Sequence, residues 1–252
     1  MAPQPRSLRF AHGAYPIPVP RRGGGSSEKD WDRHVRHADE LSRTPGFQQL
    51  RDAIIERAGP AASDRVLDVG TGTGLLALPL AKRCTHVWAV DISPAMIEHL
   101  RWLVVGREVA NLYPVEASAT SLPLDDESVD LAVSNYCFHH LDEAGKRLSL
   151  QEARRVLAPG GRLVFGDMMF GWSPRDRRNR QVVASKVRSI ARRGPAGFVR
   201  VARNGFRVVT RRAEHPAPPE WWEAELLGAG FVEVSIESLD HEGGIAVARK
   251  PR

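Results

Sequence analysis

Cysteine is scarce in this sequence, and long apolar runs are missing from it. The two cysteines, Cys84 and Cys137, stand too far apart for a CxxC metal motif and are too few for a disulfide framework. No stretch approaches the roughly 18 consecutive apolar residues of a membrane helix, and the N-terminus lacks the apolar core of a signal peptide. We therefore expect a cytoplasmic protein with reduced thiols and no membrane span.

The remaining composition is that of one globular α/β domain. The chain has 252 residues, of which 42% are apolar and 26% charged, and this is enough for a full hydrophobic core. Residues 1–27 differ from the rest, because five prolines and four glycines leave almost nothing to bury. We predict a disordered N-terminal arm over 1–27 and a single domain over 28–252.

Strand-like and helix-like patterns alternate along the domain. An amphipathic helix is predicted from Lys29 to Arg57, ending at Gly59-Pro60. Short apolar stretches typical of buried parallel strands follow at residues 65–69, 87–90, 112–115, 129–133 and 162–165. Helical patterns lie at residues 75–82, 94–105, 144–157 and 220–227, and two further strands at 231–236 and 245–248. This alternation predicts a doubly wound sheet.

The most informative motif is a glycine turn after the first of these strands. In VLDVGTGTG at 66–74, Gly70, Gly72 and Gly74 alternate with threonines before a helical stretch. Glycine permits positive φ and a close approach of the backbone to a ligand. The dinucleotide fingerprint GxGxxG needs a glycine where this chain has Leu75, and a Walker loop needs a lysine that the turn lacks. The turn therefore disfavours a nicotinamide dehydrogenase and a P-loop NTPase.

A carboxylate follows the second strand. Asp91, in AVDIS at 89–93, falls at the carboxyl end of that strand, which is the edge where open α/β sheets bind ligands. An ionised carboxylate accepts two hydrogen bonds and so suits the neighbouring hydroxyls of a ribose. The alternative is that Asp91 caps the helix starting near Pro94. Together with the glycine turn, ribose binding is favoured.

The sequence resembles the class I S-adenosylmethionine-dependent methyltransferases, in the group that includes small-molecule and quinone C-methyltransferases. The matching motifs occur in the family's order: VLDVGTGTG, AVDIS, LPLDDESVDLAVSNYCFHHL at 122–141 and EARRVLAPGGRLVF at 152–165. The resemblance implies a Rossmann-like, doubly wound, mostly parallel seven-stranded sheet with an antiparallel final strand and a helical cap insertion. It also implies S-adenosyl-L-methionine as cofactor, S-adenosyl-L-homocysteine as product, and in-line methyl transfer.

The resemblance further assigns cofactor contacts to residues that follow the first four strands. Asp91 would bind the ribose, Ile92 would pack on adenine, and Asn135 would lie near the amino group of the cofactor. Ser118 stands where the family usually has an acidic residue that reaches adenine. The complete set of implied cofactor residues is Asp68, Gly70, Thr71, Gly72, Gly74, Asp91, Ile92, Ser118, Ala119, Ser134 and Asn135.

Candidates for catalysis and substrate binding follow the fourth and fifth strands. His139 and His140 lie beside the implied methyl site and are candidate bases, because imidazole titrates near neutral pH. The alternative is that the pair packs at the start of the next helix. No cluster of His, Cys, Asp and Glu has the spacing of metal ligands, so we expect no metal. The predicted substrate contacts are Tyr136, Asp167, Phe170 and Trp172.

Positive charge is concentrated in one stretch. Residues 175–212 contain 13 Lys or Arg and one acid, a net charge of +12, whereas the whole chain carries +6. Helical patterns occur there at 177–193 and 196–209, and the resembled family places part of a substrate cap in this region. We predict a basic helical cap insertion over 171–215. Such a cap attracts an anionic substrate or a polyanion, but basic residues on amphipathic helices also commonly face solvent.

Three functions are compatible with these patterns. The first is a methyltransferase acting on a small, anionic or aromatic metabolite. The second is an RNA methyltransferase that binds RNA through residues 175–212. The third is a regulator that binds the cofactor without turnover. The first is favoured, because no appended RNA-binding module is visible and the predicted cap contains aromatic and apolar residues.

Overall fold

The computed structural model describes residues 35–170, 214–239 and 242–252. Its seven strands are β1 (Arg65–Val69), β2 (His86–Asp91), β3 (Leu112–Glu116), β4 (Val129–Asn135), β5 (Leu157–Met168), β6 (Val232–Ser238) and β7 (Gly243–Arg249). They form one sheet in the order β3-β2-β1-β4-β5-β7-β6. Strands β1 to β5 are parallel, and β7 is antiparallel to both of its neighbours. The predicted mostly parallel sheet with an antiparallel final strand is confirmed.

The helices cover both faces of this sheet. They are α1 (Val35–Ser42), α2 (Pro45–Ala58), α3 (Ala77–Ala81), α4 (Pro94–Gly106), α5 (Glu143–Val156) and α6 (Pro219–Gly228), with a short 3-10 helix at Phe138–His140. Helices α2, α3 and α4 pack on one face, and α5 and α6 on the other. None of the helices in the described ranges combines the length and apolar character needed to cross a membrane. The predicted arm over 1–27 and nearly all of the predicted cap over 171–215 lie outside these ranges.

The helix predicted from Lys29 to Arg57 is, in its described part, two helices. The break lies before Pro45, which starts α2. Proline has no N–H and a fixed φ, so it is well suited to the first turn of a helix and poorly suited to the interior. Helix α2 ends where the sequence predicts, because Gly59 takes φ 50° and its N–H donates to the carbonyls of Ile55 and Glu56.

Strand β5 begins earlier than predicted. It starts at Leu157, directly after α5, and not at Arg162. Leu157 pairs with Val129, and a register shift in β4 between Val129 and Leu131 accommodates the extra residues. The Pro-Gly-Gly sequence at 159–161 favours a turn, but in the structure it is part of an irregular strand. Glycine often occurs at such bulges.

The strand order fixes the position of the candidate site. From β1 the chain moves outward to β2 and β3 and then returns to β4 on the other side of β1. Open α/β sheets bind their ligands at the carboxyl ends of the strands at such a switch point. The residues that follow β1, β2, β4 and β5 consequently meet at one edge of the sheet.

Candidate functional site

The glycine turn after β1 combines tight packing with an open approach. Gly70, Gly72 and Gly74 have φ values of 69°, 53° and 86°. A Cβ on Gly70 would collide with the Cys137 side chain, and one on Gly74 would lie 2.6 Å from Leu100 Cδ1, but one on Gly72 would meet nothing within 4 Å. Gly70 and Gly74 are therefore required by packing, whereas Gly72 exposes its backbone to the space a ligand can enter.

Asp91 is oriented by the turn. Its Oδ2 accepts a hydrogen bond from Gly72 N–H at 2.8 Å, and its Oδ1 accepts one from Ser93 N–H at 2.9 Å. Helix α4 is capped by Ser93, whose Oγ accepts from Met96 N–H at 3.2 Å, so the alternative role of Asp91 as the cap does not hold. Ile92 is apolar yet 41% exposed. A fixed carboxylate beside an exposed aliphatic side chain suits a ribose joined to a flat ring.

Asp68 lies beneath the turn. The side chain is buried, and its Oδ2 accepts a hydrogen bond from the Thr71 hydroxyl at 2.7 Å. Burial raises the pKa of Asp68 to about 7, because a charged carboxylate is disfavoured where water is excluded. A cation brought close to Asp68, such as the ammonium of an amino-acid group, would favour the charged form.

The region after β3 is organised by Ser118. Its Oγ lies 2.8 Å from Thr120 Oγ1 and accepts from Thr120 N–H at 3.2 Å. The neighbouring Ala117 N–H donates to the Asp91 carbonyl at 2.9 Å, which holds this segment against the end of β2. Ser118 and Ala119 are half-buried. Their contact with adenine stays a prediction.

Ser134 and Asn135 end β4 in different surroundings. The Ser134 hydroxyl is buried and donates to the Val69 carbonyl at 2.7 Å, which joins β4 to β1. The side chain of Ser134 is thus engaged within the sheet, and a contact with cofactor would use its backbone. Asn135 Oδ1, by contrast, is buried and has no hydrogen-bond partner in the described part of the chain. An unpaired buried acceptor is costly, so a ligand that donates to it would gain binding energy.

Tyr136 lies on a strained backbone at the start of an aromatic wall. Its φ is 51°, which is uncommon for a residue other than glycine, and its N–H donates to the Gly166 carbonyl at 2.8 Å. The ring centroid lies 5.3 Å from that of Phe47 and 6.0 Å from that of His139. Burial raises the pKa of the Tyr136 hydroxyl. The sequence places Phe47 only on the apolar face of a helix, and no motif marks it as a site residue.

His139 forms a buried pair with Asp167. The Nδ1 atom of His139 lies 2.6 Å from Asp167 Oδ1, and the backbone N–H of His139 donates to Asp167 Oδ2 at 3.1 Å. Asp167 also accepts from Met168 N–H at 2.6 Å. Because Asp167 accepts backbone N–H groups through both of its oxygens, we infer that Nδ1 of His139 donates to it, which leaves Nε2 as the acceptor.

Asp167 contacts another side chain of the protein, and its predicted contact with the substrate stays a prediction. We expected Asp167 to contact the substrate, but it is fully buried and its carboxylate faces His139. Its position at the carboxyl end of β5 is as expected, and its side chain supports the imidazole. Aspartate beside histidine fixes the tautomer and stabilises the charged ring.

The other predicted residues are less informative. The His140 ring centroid lies 3.8 Å from that of His139, and Phe170 is only 7% exposed. Trp172 lies outside the described residues. Within the described ranges, no group of three or more His, Cys, Asp and Glu side chains could hold a metal ion.

A cavity of about 480 Å³ lies away from this site, and charged residues line it, including Glu127, Arg155 and Lys250. Glu127 precedes β4 and Lys250 follows the antiparallel β7, so the cavity is at the amino edge of the sheet. Most of its charges are already paired: Arg155 bonds to Asp126 and Glu152, and Lys250 to Glu127, whereas Arg154 donates to the Gly230 carbonyl. We assign the chemistry to the carboxyl edge for this reason.

The sheet order and the residues at its carboxyl edge define a Rossmann-like methyltransferase fold. Comparison with known proteins agrees. Residues 66–161 match the family model described as a methyltransferase domain. A solved structure described as a SAM-dependent methyltransferase from Aquifex aeolicus superposes with a TM-score of 0.57 and 20% identity, covering 85% of this chain and 97% of that one.

Two curated relatives carry methyltransferase names. An uncharacterized methyltransferase of Geobacillus kaustophilus is 31% identical over 144 residues, or 56% of this chain and 63% of the relative. The demethylmenaquinone methyltransferase of Clavibacter sepedonicus is 38% identical over 121 residues, or 48% of each chain. The chain thus spans between about half and two thirds of their lengths. Residues 66–161 carry a methyltransferase domain, and for this part of the chain the resemblance to the class I S-adenosylmethionine-dependent methyltransferases is confirmed.

Proposed function

We propose that this chain is an S-adenosylmethionine-dependent methyltransferase that acts on a small aromatic or anionic metabolite. One observation carries the proposal. An open glycine backbone at Gly72, the fixed Asp91 carboxylate, the unpaired Asn135 oxygen and the His139–Asp167 pair all lie at the carboxyl edge of the same sheet. The methyltransferase names of the relatives support the same activity.

The described residues fit the cofactor. Asp91 would accept from the ribose hydroxyls, the exposed Ile92 would pack on the adenine, and Gly72 leaves room beside the backbone. Asn135 Oδ1 would accept a hydrogen bond from the ammonium, and Asp68 would provide a carboxyl beneath the glycine turn. When bound, S-adenosylmethionine supplies a methyl group on a sulfonium, already activated for displacement.

The residues of the chain then align the acceptor and remove its proton. With the cofactor bound, the acceptor atom would form a bond to the methyl carbon as the carbon–sulfur bond breaks, and the electron pair of that bond would stay on sulfur. His139 Nε2 takes the acceptor's proton, and Asp167, 2.6 Å from Nδ1, stabilises the imidazolium. Alignment of the two reactants lowers the barrier further.

The nature of the acceptor is inferred from the walls of the site. The Tyr136 ring lies beside His139, and the Phe47 ring lies beside that of Tyr136. Together they favour a flat apolar acceptor. The +12 charge of residues 175–212 favours an anionic one. The name of the Clavibacter sepedonicus relative, a demethylmenaquinone methyltransferase, supports a small molecule as acceptor. RNA methylation and cofactor binding without turnover are outcomes that the following experiment separates.

The experiment uses methyl-labelled cofactor and an extract of the source organism. The full chain is incubated with both, and label is counted separately in small molecules, RNA and protein. We expect label in the small-molecule fraction. Label in RNA would replace the proposed substrate class, and cofactor binding with no labelled fraction would support the regulator.

Two variants separate binding from chemistry. Asp91→Ala should weaken S-adenosylhomocysteine binding about 10- to 100-fold in calorimetry, because charge-assisted hydrogen bonds are lost; Asp125→Ala, at an exposed carboxyl, is the matched control.

His139→Gln should keep that affinity and lower kcat about 10²- to 10⁴-fold, because the amide can still donate to Asp167 but cannot act as a base. Unchanged affinity in the first variant, or unchanged kcat in the second, would remove the corresponding assignment.

A further inference from the structure

A lysine is buried next to the reaction centre. Lys146 lies on α5 and is only 1% exposed. Its Nζ donates to the Leu141 carbonyl at 2.7 Å and to the His215 carbonyl at 2.5 Å. The ring of Trp221 lies 5.8 Å from Nζ, within the range of a cation–π contact. A buried ammonium is tolerated only when its donors are satisfied, and here two carbonyls and an aromatic face satisfy them.

The two carbonyls belong to two segments of the chain that both adjoin His139, one in sequence and the other in space. Leu141 closely follows His139 in the chain, whereas His215 is remote in sequence and leads into α6. The N–H of His215 donates to the His139 carbonyl at 2.6 Å. His215 is therefore held through both of its backbone polar groups, one by His139 and the other by Lys146. We refer to these contacts among His139, Leu141, Lys146 and His215 as the Lys146 junction.

We propose that Lys146 is a positioning residue for methyl transfer: its buried ammonium fixes the backbone on both sides of His139 and so holds the imidazole in place for proton removal. This inference rests on the proposed function of His139. The side chain of Asp167 sets the tautomer and orientation of the His139 ring. The Lys146 junction sets the position of the backbone to which that ring is attached. A misplacement of about 1 Å in such a site can cost about 100-fold in rate.

The positive charge on Lys146 contributes to the proposed positioning of His139. Burial lowers the pKa of Lys146 to about 8, partly opposed by the carboxylates of Asp167, Glu143 and Asp142. These acids face Lys146 from β5 and from the start of α5, and the segments that Lys146 binds also carry His139, His140, Glu214 and His215. Above about pH 8 the ammonium becomes an amine, which is a weaker donor to the two carbonyls.

The first test compares Lys146→Met with Lys82→Met, the same substitution at an exposed lysine. With the acceptor identified by labelling, Lys146→Met should lower kcat about 10- to 100-fold while S-adenosylhomocysteine affinity stays within about twofold. The decline of kcat above about pH 8 should be present in the parent and in Lys82→Met and absent from Lys146→Met. Parental kcat and an unchanged pH profile in Lys146→Met would overturn the proposal.

A second test needs no methyl acceptor. The Nδ1 proton of His139, shared with Asp167 at 2.6 Å, should give a downfield proton NMR signal in the parent protein and in Lys82→Met. The signal should broaden or disappear in Lys146→Met. Its persistence would overturn the positioning role even if no methyl transfer were found, so this result is independent of the proposed activity.

A third comparison leaves the buried lysine in place. His215→Pro removes the N–H that donates to the His139 carbonyl, whereas His215→Ala keeps it. We expect His215→Pro to reduce kcat and broaden the His139 signal more than His215→Ala does. Equal effects of the two substitutions would exclude the backbone contact as a positioning element, whatever the stability of Lys146→Met.

Discussion

At the scale of single residues, the site is marked by ionisable side chains in places where water is excluded. Asp68 and Asp167 are 1% and 0% exposed, and such residues are rarely buried without a partner. Asp167 has His139 and a backbone N–H as partners. Asp68 accepts from the Thr71 hydroxyl and the Ala77 backbone N–H, and neutral donors are weaker partners than a cation. This difference makes the stability of the free protein sensitive to the ionisation of Asp68.

We predict that Asp68→Asn changes the dependence of stability on pH. The pKa of Asp68 is raised to about 7 in the folded protein from 3.8. Between these values the folded state keeps a proton that the unfolded chain has released, so this group lowers the free energy of unfolding as pH rises from about 4 to 7. The variant lacks that contribution, and its stability relative to the parent should rise by up to about 4 kcal/mol over this interval.

The measurement is urea unfolding of the cofactor-free proteins at several pH values from 4 to 8. Asp125→Asn, at an exposed carboxyl, is the control and should follow the parent. Parallel stability curves for the parent and Asp68→Asn would show that Asp68 does not bind the proton assigned to it.

How well the sequence predicts single residues depends on whether a motif marks them. Asp91 stands in a motif at the end of a strand, and the structure finds it beside the glycine turn, as predicted. Lys146 lies on an amphipathic helix where a lysine is expected to face solvent, so its burial depends on the tertiary packing of His215 and Trp221. Phe47 reaches Tyr136 from a remote helix, and no local pattern carries that information.

At the scale of secondary structure, the ends of the elements carry the chemistry. Helix α4 begins directly after Asp91 and Ile92, and its N-cap Ser93 is buried. The same serine donates its backbone N–H to Asp91. The cap consequently joins the stability of the helix to the geometry of the proposed ribose site.

We predict that Ser93→Ala lowers the free energy of unfolding by about 1 kcal/mol, the usual effect of losing a side-chain cap. The Met96 N–H loses its acceptor at 3.2 Å. The backbone bond from residue 93 to Asp91 is kept, so cofactor affinity should change by less than the stability does. Chemical unfolding and calorimetry check both, with Ser121→Ala at an exposed serine as the control. A stability equal to that of the parent would rule out the cap.

Element types were predictable from periodicity, but several element ends were not. Helix α3 covers only Ala77–Ala81 of the predicted 75–82, because the glycine turn continues to Leu76. Pro79 lies in the first turn of this short helix, which is the part of a helix that tolerates proline. Strand β5 extends back to Leu157 because pairing with Val129 outweighs the turn propensity of Pro-Gly-Gly. Pairing partners distant in sequence decide such ends, and a single sequence does not reveal them.

At the scale of the whole molecule, charge and chemistry are unevenly distributed. The segment 175–212 carries +12 and the whole chain +6, so the remaining residues sum to −6. At the amino edge of the sheet, positive and negative side chains form ion pairs, such as Arg65 with Asp130 and Arg155 with Glu152. The role of the +12 charge of residues 175–212 is therefore tested by how salt changes the binding of an acceptor or of RNA.

We predict that salt separates the two substrate classes. Methyl transfer to a small acceptor should change by less than about tenfold between 50 and 200 mM salt. Binding to RNA through several phosphates should fall by about 10³- to 10⁵-fold for 6–10 contacts, because counterions are released. Label counting and RNA binding are measured over the same salt series. A methyl-transfer rate that falls as steeply as RNA binding would favour the RNA methyltransferase.

The Lys146 junction also has a consequence for chain connectivity. The chain leaves the sheet after Met168, next to the Asp167 that pairs with His139, and is bound again at His215, whose N–H donates to the His139 carbonyl. The two attachment points therefore meet at one place on the scaffold. Because the entropy of closing a loop grows only slowly with its length, sequences of very different length can be accommodated between them. On the proposed role of this segment in substrate binding, we expect that grafting a different segment between the two points exchanges substrate preference, while the sheet and the proposed cofactor residues stay unchanged.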